Sequence, residues 1–266
     1  MILASGSLSN HVLAWTVAGI YLMPAVVPRM ALGSARLLVM LALLMHAVLL
    51  GVGWLGGAPR FGFAPALSIT VWLVGCVYAV ESQFYPQLRI RRVMCVLAAI
   101  SVLMPLAFPG AALHASATVW LPLHLALGVA CYGLFGAAVV HAWLMGRAES
   151  RMRHASETDS GVPLLTLERL TFRFVGAGFV LLTATLGAGL LFGDALYGPG
   201  KALRLDHKTV FSVLSWLTFA ALLLGRARYG WRGRRAVRVL YAGTGLLFLA
   251  YVGSRFVMEV FLGRMA

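Results

Sequence analysis

From Arg92 to Arg147 the chain reads RVMCVLAAISVLMPLAFPGAALHASATVWLPLHLALGVACYGLFGAAVVHAWLMGR, with no aspartate, glutamate, lysine or arginine between the two terminal arginines. A helix crossing the hydrocarbon core of a bilayer needs about 20 apolar residues, because its backbone must satisfy its own hydrogen bonds where no water is available. This stretch is long enough for two crossings, and Phe108-Pro109-Gly110 supplies the break between them. Spans over roughly 92–108 and 118–145 follow from this one segment.

Working outward, similar apolar runs cover approximately 12–27, 37–55 and 64–84 on the N-terminal side and 170–193, 207–225 and 237–257 on the other, the last interrupted by Arg255. The chain therefore reads as an all-α polytopic membrane bundle of about eight transmembrane helices, a single membrane domain over 1–266. Composition agrees: 61% of residues are apolar and only 11% charged, against roughly 25% charged in a soluble domain. A mean hydropathy of +0.89 excludes a water-soluble fold. The one long polar segment, 146–166, contains Arg151, His154, Glu157 and Asp159 and reads as a cytoplasmic linker dividing five helices from three. No basic stretch precedes the first apolar run, so the first span is expected to be retained rather than cleaved as a signal peptide.

Orientation follows from the basic residues, which concentrate on the cytoplasmic side of membrane proteins. Assigning alternate loops to alternate sides gives one side Arg29, Arg36, Arg89, Arg91, Arg92, Arg147, Arg151, Arg153, Arg169, Arg173 and the arginines from Arg226 to Arg238. The opposite side receives only Arg60, Lys201, Arg204, Lys208, Arg255 and Arg264. The richer side is expected to be cytoplasmic, which puts both termini in the periplasm of a bacterial cytoplasmic membrane. The net charge of +14 is explained in this way without nucleic acid, since the basic residues sit between apolar runs and form no single face. Cys76, Cys95 and Cys131 lie inside apolar stretches with no CxxC spacing, so neither a disulfide framework nor a zinc site is expected.

Ionisable side chains inside a bilayer are costly and mark candidate sites, and here the histidines come first. His11, His114, His124 and His207 fall at or near the outer face, His46 near mid-membrane, and His141 and His154 toward the cytoplasm. His124 opens the fifth span and His207 opens the seventh from the same side, depths compatible with a shared ligand, and paired neutral imidazoles suit a heme iron. Gly128 and Cys131 continue the His124 face and would let a flat macrocycle or another helix approach closely. For His46 an interhelical hydrogen bond competes evenly with ligation, and His11 and His114 read as interfacial residues. His141 lies about 25 Å further along its helix than His124, so those two cannot share a site.

The clusters Gly176-Ala177-Gly178 and Gly187-Ala188-Gly189 read as helix-packing positions. The run Gly230-Trp231-Arg232-Gly233-Arg234-Arg235 reads as a contact with anionic headgroups. Nothing resembles a nucleophile with its base, a phosphate-binding glycine loop or an HExxH motif, so no enzyme is expected.

The order of these features resembles the cytochrome c assembly protein family, heme-handling membrane proteins of the CcsA and CcmC kind, and within it the YpjD-like branch. The resemblance rests on Leu44-Met45-His46-Ala47, Leu123-His124-Leu125-Ala126-Leu127, Leu167-Glu168-Arg169, Gly178-Phe179-Val180-Leu181-Leu182-Thr183, His207-Lys208-Thr209-Val210-Phe211-Ser212, the Gly230–Arg235 run and Tyr251-Val252-Gly253-Ser254-Arg255. It covers nearly the whole chain. It implies heme b bound near the outer leaflet, with a histidine at the place of His124 as axial ligand or heme contact. Better-known members carry a tryptophan-rich outer loop ending in Trp-Asp-Pro-Lys-Glu-Thr, where this chain has Leu205-Asp206-His207-Lys208-Thr209. They also carry further outer histidines where this chain has Ser254-Arg255 and Gly225-Arg226.

The expected function is thus non-catalytic binding or handling of heme b at the outer side, with His124 first, His207 as a second iron ligand, and His46 as a further heme contact. Expected partners are the lipid bilayer, heme, and other membrane or cytochrome assembly proteins. A transporter or regulator of ion transport would call for acidic residues at mid-membrane, where only Glu81 near a span end is on offer. A cofactor-free structural subunit is the third reading.

Overall fold

The computed structural model describes residues 2–27, 30–55, 60–85, 90–112, 120–153, 163–192 and 206–262. Among the described residues there are eight long helices: α1 (Ile2–Val26), α2 (Leu32–Leu55), α3 (Phe63–Phe84), α4 (Arg91–Ala107), α5 (Trp120–Arg153), α6 (Leu164–Leu191), α7 (His207–Tyr229) and α8 (Gly233–Phe248). The last continues through a π-helical turn (Leu249–Gly253), one short α segment (Ser254–Phe256) and a second π-helical turn (Val257–Phe261). Among the described residues, α2, α3, the Leu121–Ser150 part of α5, α6, α7 and Gly233–Phe261 are long and apolar enough to cross a membrane. The protein is an all-α, multi-pass membrane protein. Helices α5 and α6 extend into the segment read as a linker, α5 to Arg153 and α6 from Leu164, while residues 154–162 lie outside the described residues. Hydropathy marks where the bilayer ends, but a helix runs on wherever water or polar side chains serve its surface.

The helices group into two compact units, Met1–Leu113 with Met258–Ala266, and His114–Val257. In the first, α1 packs on α2 and α4, and α3 packs on α2 and α4, a four-helix ring in chain order. Its core is built largely from small residues, Ala14, Ala18, Ala42, Ala98 and Ala99, with Tyr21 and Val102 filling the space between them. Small side chains of this kind allow the close helix approach that drives association where lipid tails compete with apolar side chains. Arg36 donates to the carbonyl of Ser82 (2.9 Å), serving one of the main-chain acceptors left over at the C-terminal end of α3.

Two short strands, β1 (Arg60–Phe61) and β2 (Ala111–Ala112), pair antiparallel and tie the α2–α3 connection to the chain leaving α4. Gly110 permits this: its φ is +75°, and a Cβ there would lie 2.7 Å from the carbonyl of Phe61. The Pro109-Gly110 break read from sequence is therefore a sharp reversal between α4 and β2.

In the second unit α5 packs on α6, α6 on α7, α7 on α8, and α8 back on α5, again a ring in chain order. Phe135 of α5 and Phe219 of α7 stack face to face across its middle, centroids 3.8 Å apart. The other two helices make room for the rings with glycine: a Cβ on Gly178 of α6 would lie 3.1 Å from Phe135, and one on Gly243 of α8 would lie 3.0 Å from Phe219. Gly178 is thus a packing glycine, while a Cβ on Gly176, its neighbour in the same cluster, would meet nothing within 4 Å.

Both ends of α7 are built by residues placed for the purpose. Asp206 caps its start, accepting from the Thr209 amide (2.9 Å) and hydroxyl (3.0 Å). Partial burial pushes the Asp206 carboxyl up, but the two Thr209 hydrogen bonds and the neighbouring Lys208 and His207 outweigh this and hold it below its usual range. Gly230, in the left-handed conformation (φ 62°), ends the helix, and the Gly230 and Trp231 amides return to the carbonyls of Arg226 and Gly225 (both 3.2 Å).

Candidate functional site

His46, on α2, is fully buried in the first unit. Its Nε2 is 2.9 Å from the Ser68 hydroxyl of α3, and its Nδ1 is 3.3 Å from the Tyr21 hydroxyl of α1. A neutral imidazole has one donor and one acceptor nitrogen, and hydroxyls serve either, so the ring ties three helices with both nitrogens engaged. Of the two readings weighed for His46, this geometry matches the interhelical hydrogen bond.

His124 lies in the second unit, one turn into α5 and partly buried. It faces the C-terminal end of α6, where it hydrogen-bonds to the main chain of Thr185. A Cβ on Gly189 would sit 3.8 Å from its Cε1, and one on Gly128 would sit 3.8 Å from the Thr185 methyl. The α6 face that carries Thr183 turns toward α7, for Trp216 donates to the Thr183 hydroxyl (2.9 Å). Gly187 follows Thr183 by one turn, and a Cβ there would meet open space. The end of α6 thus presents glycines rather than bulk beside His124 and toward the start of α7.

His207 is the first residue of α7 and is exposed. Because successive helices alternate in direction, the starts of α5 and α7 and the ends of α6 and α8 lie at one end of this unit. His124 and His207 share that end. Lys208 and Arg255 lie there too, within electrostatic range of each other, and the Arg255 guanidinium is 5.9 Å from the Tyr251 ring centre.

The remaining histidines stand apart from this end. His141 is buried, donates from Nδ1 to the Ala137 carbonyl (2.8 Å) and lies against Phe174. His11 is exposed on α1, while His114 and His154 lie outside the described residues. Among the described residues no three histidine, cysteine, aspartate or glutamate side chains converge as a metal cage would require. A heme asks less of the protein, one or two axial ligands and a slot for a flat ring.

The opposite end of the unit holds a constellation that includes part of the Gly230–Arg235 run, which the charge pattern alone assigns to lipid headgroups. Glu168 of α6 accepts from Arg226 (2.6 Å) and lies 3.7 Å from Arg232. The Arg226 guanidinium also covers the Phe172 ring at 3.6 Å, and that of Arg235 covers Trp231 at 4.1 Å. Trp231 itself packs so tightly on α7 that a Cβ on Gly225 would fall 2.4 Å from the indole. Part of the Gly230–Arg235 run is therefore an internal latch. The signal for it was the presence of one acidic residue, Glu168, among so many arginines.

Curated relatives place this geometry in context. The chain is 41% identical over 150 residues to an uncharacterized 28.8 kDa protein in the nifR3-like 5′ region of Azospirillum brasilense, covering 54% of each chain. It is 32% identical over 149 residues to the inner membrane protein YpjD of Escherichia coli K12, covering 55% of each. To the cytochrome c biogenesis protein CcsA of Synechococcus elongatus it is 34% identical over 88 residues, 33% of this chain and 26% of that one. The matched segments thus span about half the length of the first two relatives. No solved structure matches significantly. The family model for the cytochrome c assembly protein matches residues 8–262, nearly end to end, and the chain belongs to that family.

Proposed function

We propose that this protein is a non-catalytic heme-handling protein of the bacterial cytoplasmic membrane, holding heme b at the end of its second unit that carries His124 and His207. The observation that carries the reading is the placement of His124. It sits partly buried against the glycine-bearing end of α6, at the same end as His207, in a chain of the cytochrome c assembly family. The residues there fit the group. His124 offers an imidazole as axial ligand, and His207, standing where the family resemblance implies an altered loop, offers a second. Gly187 and Gly189 leave the α6 surface low enough for a flat ring to approach, and Lys208 and Arg255 supply cationic charge suited to propionate carboxylates. When bound, heme supplies a redox-active iron and a cargo that a cytochrome assembly pathway needs. His46 belongs to the framework through its bonds to Tyr21 and Ser68 and is not required as a ligand.

We place this end on the periplasmic side, with both termini, from the arginine distribution along the chain. The test is the reduced-minus-oxidised absorbance spectrum of the detergent-purified protein, after hemin addition if needed. A b-type spectrum is expected, lost in H124A, shifted in H207A and retained in H46A. A protein that stays colourless with added hemin, or an H124A spectrum identical to wild type, would overturn the assignment and favour a cofactor-free subunit or a regulator of transport.

A further inference from the structure

At the Arg226–Arg238 end of the second unit, a cleft of about 380 Å³ opens between the C-terminal part of α5 and the start of α8. Its walls combine two chemistries. The deeper side is apolar, with Met145 buried and Val237 partly buried. Among the described residues, its rim carries the exposed arginines Arg147, Arg234 and Arg238 and one carboxylate, Glu149.

The arginines are organised. Arg147 is held over the Trp143 ring at 4.1 Å. Arg234 and Arg238 are four residues apart and so lie on one face of α8, within its first two turns. The first turn of α8 adds the positive end of the helix dipole at the same end of the helix. At the neighbouring latch, by contrast, Arg226 and Arg232 converge on Glu168.

An apolar wall below a cationic rim at the end of a membrane bundle matches a molecule with the same two parts, an acyl chain and a phosphate. We infer that this cleft is a binding site for the headgroup of an anionic phospholipid, with Arg147, Arg234 and Arg238 taking the phosphodiester and the α5–α8 groove taking the start of an acyl chain. The same chemistry in soluble form would be a free phosphate or phosphate ester, which lacks the chain. The inference does not depend on heme, because the cleft lies at the end of the unit away from His124.

The test is native mass spectrometry of the full-length protein released from detergent, titrated with phosphatidylglycerol, with phosphatidylcholine, and with inorganic phosphate as competitor. Wild type should retain phosphatidylglycerol over phosphatidylcholine. The triple substitution R147Q/R234Q/R238Q should weaken that retention about tenfold. A charge-matched triple of exposed arginines outside the cleft lining in the same unit, R169Q/R173Q/R228Q, should leave it unchanged. Because Arg147 also stacks on Trp143, R238Q alone is measured beside the triple and should weaken retention several-fold with the melting temperature unchanged. Equal retention by the cleft and control triples would overturn the site. Displacement of the lipid by inorganic phosphate at the lipid's own concentration would overturn the lipid as its occupant.

Discussion

Glu168 shows how much can rest on one side chain in a chain with few acids. Its carboxylate is only 13% exposed and receives Arg226 at 2.6 Å, with Arg232 close by and Phe172 beneath the same guanidinium. Replacing it with glutamine keeps the shape and removes the charge, leaving Arg226 in a partly buried place without its counter-ion. Hydrogen bonds to charged groups contribute about 1.5–3 kcal/mol, and E168Q is expected to lose stability of about that size in a thermal melt in detergent. An R226Q/E168Q double variant should lose less than the sum of the two single losses, since the pair acts as a unit. A strictly additive result would show that the two side chains do not cooperate. The charge pattern of the sequence assigned the Gly230–Arg235 run, Arg232 included, to lipid headgroups because Glu168 lies on a different helix, and a pairing across helices leaves no periodic trace. His46 was open for the same reason, its partners Tyr21 and Ser68 being on other helices.

Among the elements, the departure of α8 from regular geometry has an identifiable cause. The Tyr132 hydroxyl of α5 donates to the Leu247 carbonyl and lies against the Tyr251 amide. It occupies the place of the hydrogen bond those two groups would make in an uninterrupted α-helix. A side chain inserted into the ladder is a recognised origin of such a bulge, and the π-helical turn Leu249–Gly253 begins two residues later. Y132F should let the ladder close. Each residue of lost overhang turns the rest of the helix by roughly 100°, so Arg255 would leave its present position near Lys208. The expected outcome is a change in modification rate at a cysteine introduced in place of Arg255 when Y132F is added. An unchanged rate would show that the bulge is set by the rest of the bundle. No pattern in the sequence announces this, since Tyr251-Val252-Gly253 is ordinary helical material. The all-α membrane architecture was legible, because twenty apolar residues in a row have few other uses, and six helices among the described residues are long and apolar enough to cross a membrane; so was the turn at Pro109-Gly110.

For the whole molecule, the arginine asymmetry makes a prediction that the helix packing alone does not. In a cysteine-free background, a cysteine replacing Asp206 should react with a membrane-impermeant maleimide in intact cells, and one replacing Arg228 only after lysis. The reverse pattern would invert the orientation and move the proposed heme end to the cytoplasm. The background is necessary because Cys76, Cys95 and Cys131 are all free thiols. The chemistry-bearing residues were only partly legible at this scale. Hydropathy and charge read His124 and His207 at compatible depths on one side, but the glycine surface beside His124 emerges only when α5 and α6 are set against one another. The cleft at the other end is equally invisible in one dimension, because Arg147 and Arg238 are far apart in the chain.

The stacked rings of Phe135 and Phe219, wedged between Gly178 and Gly243, act as a stopper in the middle of the second bundle. Among the described residues, the waist of this bundle is filled by aromatic carbon and not by polar side chains that would line an aqueous conduit along its axis. On the function proposed above, heme taken up at the His124 end is surrendered at that same end, sideways into the membrane or outward to a neighbour, so that the unit would work as a dock with one berth instead of a tunnel with two mouths.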